Sequence, residues 1–154
     1  MYWATLIAFP SSIGYVNAGD MIILLAAFSL SPIQAATVAA TGSVIADLIC
    51  VYAAYAPASF VIKGTMALCA LYLSKALKHI NVPSPIAIFL SAVAAELCMT
   101  IGYLAYEWYL LGYGIVALSS IPSNLIQGAF GCVGGMLLYY ILKSTKISDK
   151  LTVI

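Results

Sequence analysis

The sequence predicts an all-α integral membrane protein, a bundle of six transmembrane helices whose first helix is short or truncated. Three observations carry that expectation. The chain has 154 residues, of which 64% are hydrophobic and 7% charged, with a mean hydropathy of +1.09. That is too little charge to cover a soluble domain of this size. Long apolar runs are cut at intervals by proline, glycine and short polar stretches, the pattern of successive membrane spans. The lysines gather in two places, Lys75 with Lys78 and Lys143 with Lys146 and Lys150, as loop charges do in a multi-span protein.

Taken in order, Tyr2 to Phe9 is a short apolar piece stopped by Pro10. At the helical rise it would be about 12 Å long, so an incomplete first helix is the expectation there. Residues 11–19 form a loop by their Ser, Gly and Asn content. Met21 to Leu30 is a second helix with Asp20 as its N-cap. It is shorter than the roughly 20 residues that cross the hydrocarbon, so protein or a wet cavity must shield its ends. Ser31-Pro32 turns the chain into a third helix, from Ile33 to about Ala54. Pro57 opens a fourth that runs to about Leu77. "KHINVPSP" is a loop. Ile86 to about Tyr109 is the fifth helix, "LGYG" turns, and Ile115 to Leu142 is the sixth. Residues 1–142 therefore read as a single transmembrane domain, with 143–154 as a polar tail.

With six helices, both lysine groups fall on one side, and the positive-inside rule makes that side cytoplasmic, the C-terminus included. Lys63 then lies toward the outer end of the fourth helix and breaks the pattern. Asp20, Asp47, Glu107, Asn124 and Gln127 fall in the outer half as well, while Glu96 sits near mid-depth. The polar residues also share faces: Glu96, Thr100, Tyr103 and Glu107 on the fifth helix, Ser120, Asn124, Gln127 and Gly131 on the sixth, Ser59 and Lys63 on the fourth. Such faces can converge on one outward-opening pocket.

A charged side chain within the bilayer costs at least about 2.5–3.5 kcal/mol and marks a site or a pair. Asp47 and Glu107 are the counter-charges at the depth of Lys63. Two readings of Lys63 stand: a structural pair or a snorkelling chain, and a lysine in a ligand pocket. Tyr103 lies deep enough on its stripe to stack on a ligand ring, whereas Trp108 and the end-of-helix tyrosines read as interfacial belt. "GCVGG" (131–135) holds a GxxxG and reads as internal packing. "AATVAATG" (35–42) is a small-residue face that suits either internal packing or contact with a partner.

Several classes are excluded. The net charge of +1 argues against nucleic acid. The four cysteines are widely spaced in apolar runs, with no metal-ligand spacing, and read as small packing residues. No Ser–His pair and no phosphate-binding glycine loop is present, so the chain is not read as an enzyme, and no cofactor is expected. A stand-alone proton-coupled secondary transporter of a small polar metabolite, using Asp47, Glu96 and Glu107 as a relay, stays open as an alternative.

Five pieces in order carry a resemblance: N-x-G-D at 17–20, G-S-x-x-A-D at 42–47, Y-A-P-A-x-F-x-I-K-G at 55–64, G-Y-x-x-Y-E at 102–107 and I-P-x-N-x-x-Q at 121–127. Across residues 11–142 the chain resembles the S components, or substrate-binding subunits, of energy-coupling factor (ECF) vitamin transporters. The closest branch is the riboflavin-type one, which includes members assigned to hydroxymethylpyrimidine or pyridoxine-type compounds. The resemblance implies a six-helix bundle in a bacterial plasma membrane, surrounded by lipid. It implies an outward-facing site lidded by the loop 11–19. It implies as partners a transmembrane T component and two ATPase subunits. Carried over position by position, it implies substrate contacts from Asn17, Asp47, Lys63, Tyr103, Glu107, Asn124 and Gln127. The chain departs from the family at its start, where Tyr2 to Phe9 stands in for a full first helix.

Overall fold

The computed structural model describes residues 9–10 and 15–16 as backbone and residues 18–145 in full. Residues 1–8, 11–14, 17 and 146–154 lie outside the described residues, and with them most of the expected first helix, the loop tip and Asn17. Phe9–Pro10 pairs antiparallel with Tyr15–Val16. Five α-helices follow: α1 (Gly19–Ser29), α2 (Pro32–Ile49), α3 (Ala56–His79), α4 (Ser84–Ala105) and α5 (Ile121–Ser144). A π-helical turn, Tyr106–Leu110, continues α4, and a 3₁₀ segment, Gly114–Ser120, leads into α5. Four spans are long and apolar enough to cross a membrane: Pro32–Ile49, Ala56–His79, Ser84–Leu110 and Gly114–Ser144. α1 is apolar but shorter.

The boundaries have local causes. Each of α2, α3, α4 and α5 opens with a proline in its first turn, where the missing N–H has no helical partner to lose. The backbone N–H and the hydroxyl of Ser31 both donate to Gln34 Oε1 at the start of α2. α3 ends in a Schellman closure: Val82 N–H bonds Leu77 O, Asn81 N–H bonds Lys78 O, and Asn81 turns left-handed at φ 62°. α2 closes the same way, with Tyr52 N–H on Asp47 O and Val51 at φ 65°. This corrects the sequence expectation that the helix continues to Ala54. Gly112, at φ 71°, supplies the turn after the π segment.

The helices close a ring. α2 packs on α3, α3 on α4 and α4 on α5, while α1 packs on α5, α2 and α3. α1 is thus flanked by protein, which is what lets an 11-residue helix persist at membrane depth. Leu24, Met66, Leu71 and Met99 fill the centre among alanines, while Val61, Ile101 and Val133 face outward. Small residues set the close approaches. A Cβ on Gly135 would stand 2.8 Å from Leu24 Cβ, and one on Gly64 would stand 3.6 Å from Ala40 Cβ. The glycines of 131–135 and the buried Ala35, Ala39 and Ala40 therefore serve internal packing, while Thr37, Val38, Thr41 and Gly42 face outward. Cys50, Cys69, Cys98 and Cys132 are all free thiols.

Candidate functional site

The predicted polar stripes do turn inward. Ser59 and Lys63 on α3, Glu96 and Thr100 on α4, and Gln127 on α5 are buried, because each stripe recurs at three or four residues and follows one helical face. Tyr103 lies among them, partly buried against the core.

At the centre is an ion pair. Lys63 Nζ donates to Asp20 Oδ1, with the two side chains 3% and 0% exposed. Gln127 Nε2 donates to the other oxygen, Oδ2, at 2.6 Å. One carboxylate thus ties α1 to α3 and to α5. This corrects two expectations. Asp20 does not cap its helix: α1 begins at Gly19 with no side-chain cap, and the Asp20 carboxylate turns into the bundle. Nor do Asp47 and Glu107 neutralise Lys63, because α1 carries Asp20 directly against it.

Tyr103 borders this cluster. Its ring centre lies 5.6 Å from Lys63 Nζ, a cation–π distance, and its hydroxyl shares a 2.7 Å hydrogen bond with Ser59 Oγ. Asp47, at the end of α2, is buried within electrostatic reach of Tyr103. Further along the same face of α4, Glu107 sits in the π turn, which rotates it inward. It accepts from Tyr55 Oη at 3.2 Å and from Ser120 Oγ at 2.5 Å. Tyr55 in turn packs against Tyr52, Tyr103 and Tyr106. Asn124 is half-buried, one turn before Gln127.

Of the predicted site residues, then, Lys63, Tyr103 and Gln127 meet around Asp20. Asp47 and Glu107 border that group without touching Lys63, Asn124 lies at its edge, and Asn17 is outside the described residues. Sequence reasoning placed Asp20 in another role and passed over Tyr55. The signal for Tyr55 was present: Tyr55, Ser59 and Lys63 recur every four residues. Glu96 lies next to the central cluster. Its Oε1 rests where a side chain on Gly131 would stand, and Asp20 Cβ borders the same spot. Among the described residues neither oxygen of Glu96 accepts from an N–H or hydroxyl donor, and its carboxyl lies within hydrogen-bonding reach of the Asp20 carboxyl. Glu96 also lines a cleft of about 300 Å³ between α4 and α5, whose walls include the outward-facing Phe89, Leu97, Leu125 and Val133.

Four apolar spans around a buried column of charge, amide and phenol define a multi-pass membrane protein with a polar interior. The sequence profile of the ECF-type riboflavin transporter S component matches residues 2–144, and the chain belongs to that family. It is a transport subunit of the vitamin-uptake type, not an enzyme. A protein of Pyrococcus woesei, described as "uncharacterized protein in gap 3′ region", is 32% identical over 137 residues, covering 89% of this chain and 88% of that one. No solved structure gives a significant match.

Proposed function

We propose that the chain captures a small heteroaromatic vitamin or precursor from outside the cell membrane, for uptake driven by the ATPases of an ECF complex. The candidates are a hydroxymethylpyrimidine, a pyridoxine-like compound and riboflavin. The observation that carries this reading is the buried column running from Glu107 through Tyr103 to Lys63, Asp20 and Gln127 in a member of this family. Asn17, Asp47, Lys63, Tyr103, Glu107, Asn124 and Gln127 are the proposed substrate contacts. Amides and charges would read ring heteroatoms and hydroxyls, and Tyr103 would stack on the ring.

A T component and two ATPase subunits are the proposed partners. The proposed arrangement is a six-helix bundle in one substrate-binding domain spanning 1–142, with the tail on the cytoplasmic side. Lys75 and Lys143 both lie within electrostatic reach of Lys78, which supports a single basic end of the bundle. Two measurements test the proposal. Mass spectrometry of the protein purified in detergent should find such a heteroaromatic bound. Cells carrying this chain alone should take up negligible vitamin, and cells carrying it with the ATPase complex should take it up readily. Equal uptake by the chain alone, abolished by a protonophore, would instead establish a proton-coupled carrier built on Asp47, Glu96 and Glu107.

A further inference from the structure

We infer that the basic end of the bundle is a docking site for the phosphate headgroup of an anionic membrane lipid, held by Lys75, Lys78 and Lys143. The inference goes beyond the transport reading and does not depend on it. It starts from where the charges lie. Asp20, Asp47, Glu96 and Glu107 are all buried, and Lys63 is buried against Asp20. The fifth acid, Asp149, lies outside the described residues. Among the described residues, every exposed lysine or acid side chain is therefore a lysine: Lys75, Lys78 and Lys143.

The three come together from two helices. Lys75 and Lys78 are neighbours at i,i+3 near the C-terminal end of α3, and Lys143 stands in the last turn of α5. Lys75 and Lys143 both lie within electrostatic reach of Lys78. None of the three has a salt-bridge partner among the described residues. The carbonyl end of a helix favours a cation, which accounts for a lysine at each end but not for like charges gathered across two helices. An anion among them offsets their repulsion, and a phosphate has oxygens enough to accept from several ammonium groups at once.

Depth selects the source of that anion. α3 and α5 both belong to membrane-length spans, and the lysines stand at their ends, where hydrocarbon gives way to headgroups. Tyr72, one turn before Lys75, is exposed, an amphipathic ring of the kind that sits at headgroup level. On α5, Leu137 and Ile141 precede Lys143 and are exposed too, an apolar flank for acyl chains. One lipid molecule meets both surfaces, its phosphate on the lysines and its chains along the flank. A soluble phosphate meets only the first. Basic pockets between membrane helices hold anionic headgroups in this way.

The test titrates the full chain in a neutral detergent with phosphatidylglycerol and with phosphatidylcholine, and reads bound lipid by native mass spectrometry. The anionic lipid should bind at least about tenfold tighter, since each lysine near the headgroup layer is worth about fivefold. Lys78→Gln, which removes the charge within reach of the other two, should weaken phosphatidylglycerol by about fivefold and leave phosphatidylcholine unchanged. Lys75→Gln, Lys78→Gln and Lys143→Gln together should bring the two lipids within about twofold of each other. Lys78→Arg, which keeps the charge, should keep the preference. Glycerol 3-phosphate at the lipid's own concentration should not displace it. The inference is overturned if phosphatidylglycerol is not preferred, if the triple variant keeps the preference or if Lys78→Arg loses it. Displacement by glycerol 3-phosphate would overturn it in favour of a soluble-phosphate site. Loss of the ATPase complex from the triple variant, with no lipid preference in the unaltered chain, would overturn it in favour of a protein contact.

Discussion

Lys63 and Asp20 bury opposite charges in one contact, so each is exposed to the loss of the other. Lys63→Ala leaves the Asp20 carboxylate buried without its counter-charge, and removing one partner of a buried pair costs about 3–5 kcal/mol. The melting temperature in detergent should fall, and Lys63→Ala with Asp20→Asn should recover much of the loss. Ligand affinity of the same variants separates the two roles of the lysine. Unchanged affinity in a destabilised Lys63→Ala, with stability restored in the double variant, would remove Lys63 from the substrate site. Val51 offers a prediction of opposite sign. It is 89% exposed and left-handed at φ 65°, a conformation that costs a side-chain-bearing residue about 1–2 kcal/mol. Val51→Gly should therefore raise the melting temperature, and a lowered one would show that the α2 closure depends on the valine. At this scale the sequence exposed which residues are polar and which helical face each takes. It did not expose the partner of Lys63. An acid at the start of a helix fits a cap as well as an inward-facing ion, and only the packing of α1 on α3 and α5 separates the two.

The helices themselves were legible, because proline starts and apolar runs are local signals. Their ends were less so. α2 was expected to continue to Ala54, but a backbone closure at Val51 leaves no mark in composition, and valine is a poor left-handed residue. The π turn at Tyr106–Leu110 was equally invisible, although it is what points Glu107 at Tyr55 and Ser120. The contact between α1 and α5 yields a graded prediction. A methyl on Gly135 meets Leu24 Cβ at 2.8 Å, next to the backbone, whereas one on Gly134 meets the thioether end of Met21 at 2.3 Å, which can swing away. Gly135→Ala should cost about 1–3 kcal/mol by overpacking, and Gly134→Ala less. Gly42, with nothing within 4 Å of its Cβ position, is the control: Gly42→Ala should stabilise by about 0.5–1 kcal/mol through helix propensity. Thermal melts of the three variants check the order, and equal losses at 134 and 135 would contradict the packing described for α1.

For the molecule as a whole, membrane character followed from composition and the family from five spaced motifs, because both are written along the chain. The closing of α1 into the ring is written nowhere locally, since it depends on glycines more than a hundred residues away. The single carboxylate that joins α1, α3 and α5 has a consequence for the order of events during synthesis. α1 leaves the ribosome before α3 and α5, yet it has 11 residues and an acid in its first turn, too short and too polar to settle alone in a bilayer that asks for about 20 apolar residues. Lys63 carries its own insertion penalty of about 2.5–3.5 kcal/mol at a helix centre. Each becomes tolerable when the other arrives, and Gln127 comes last. α1 should therefore wait at the translocon or the membrane surface until α3 is made, and seat fully once α5 joins. Glycosylation mapping on chains of increasing length reads this directly: α1 should remain accessible when synthesis stops before α3 and become protected after α5. Protection of α1 in the shortest chain would show that it enters the membrane unaided.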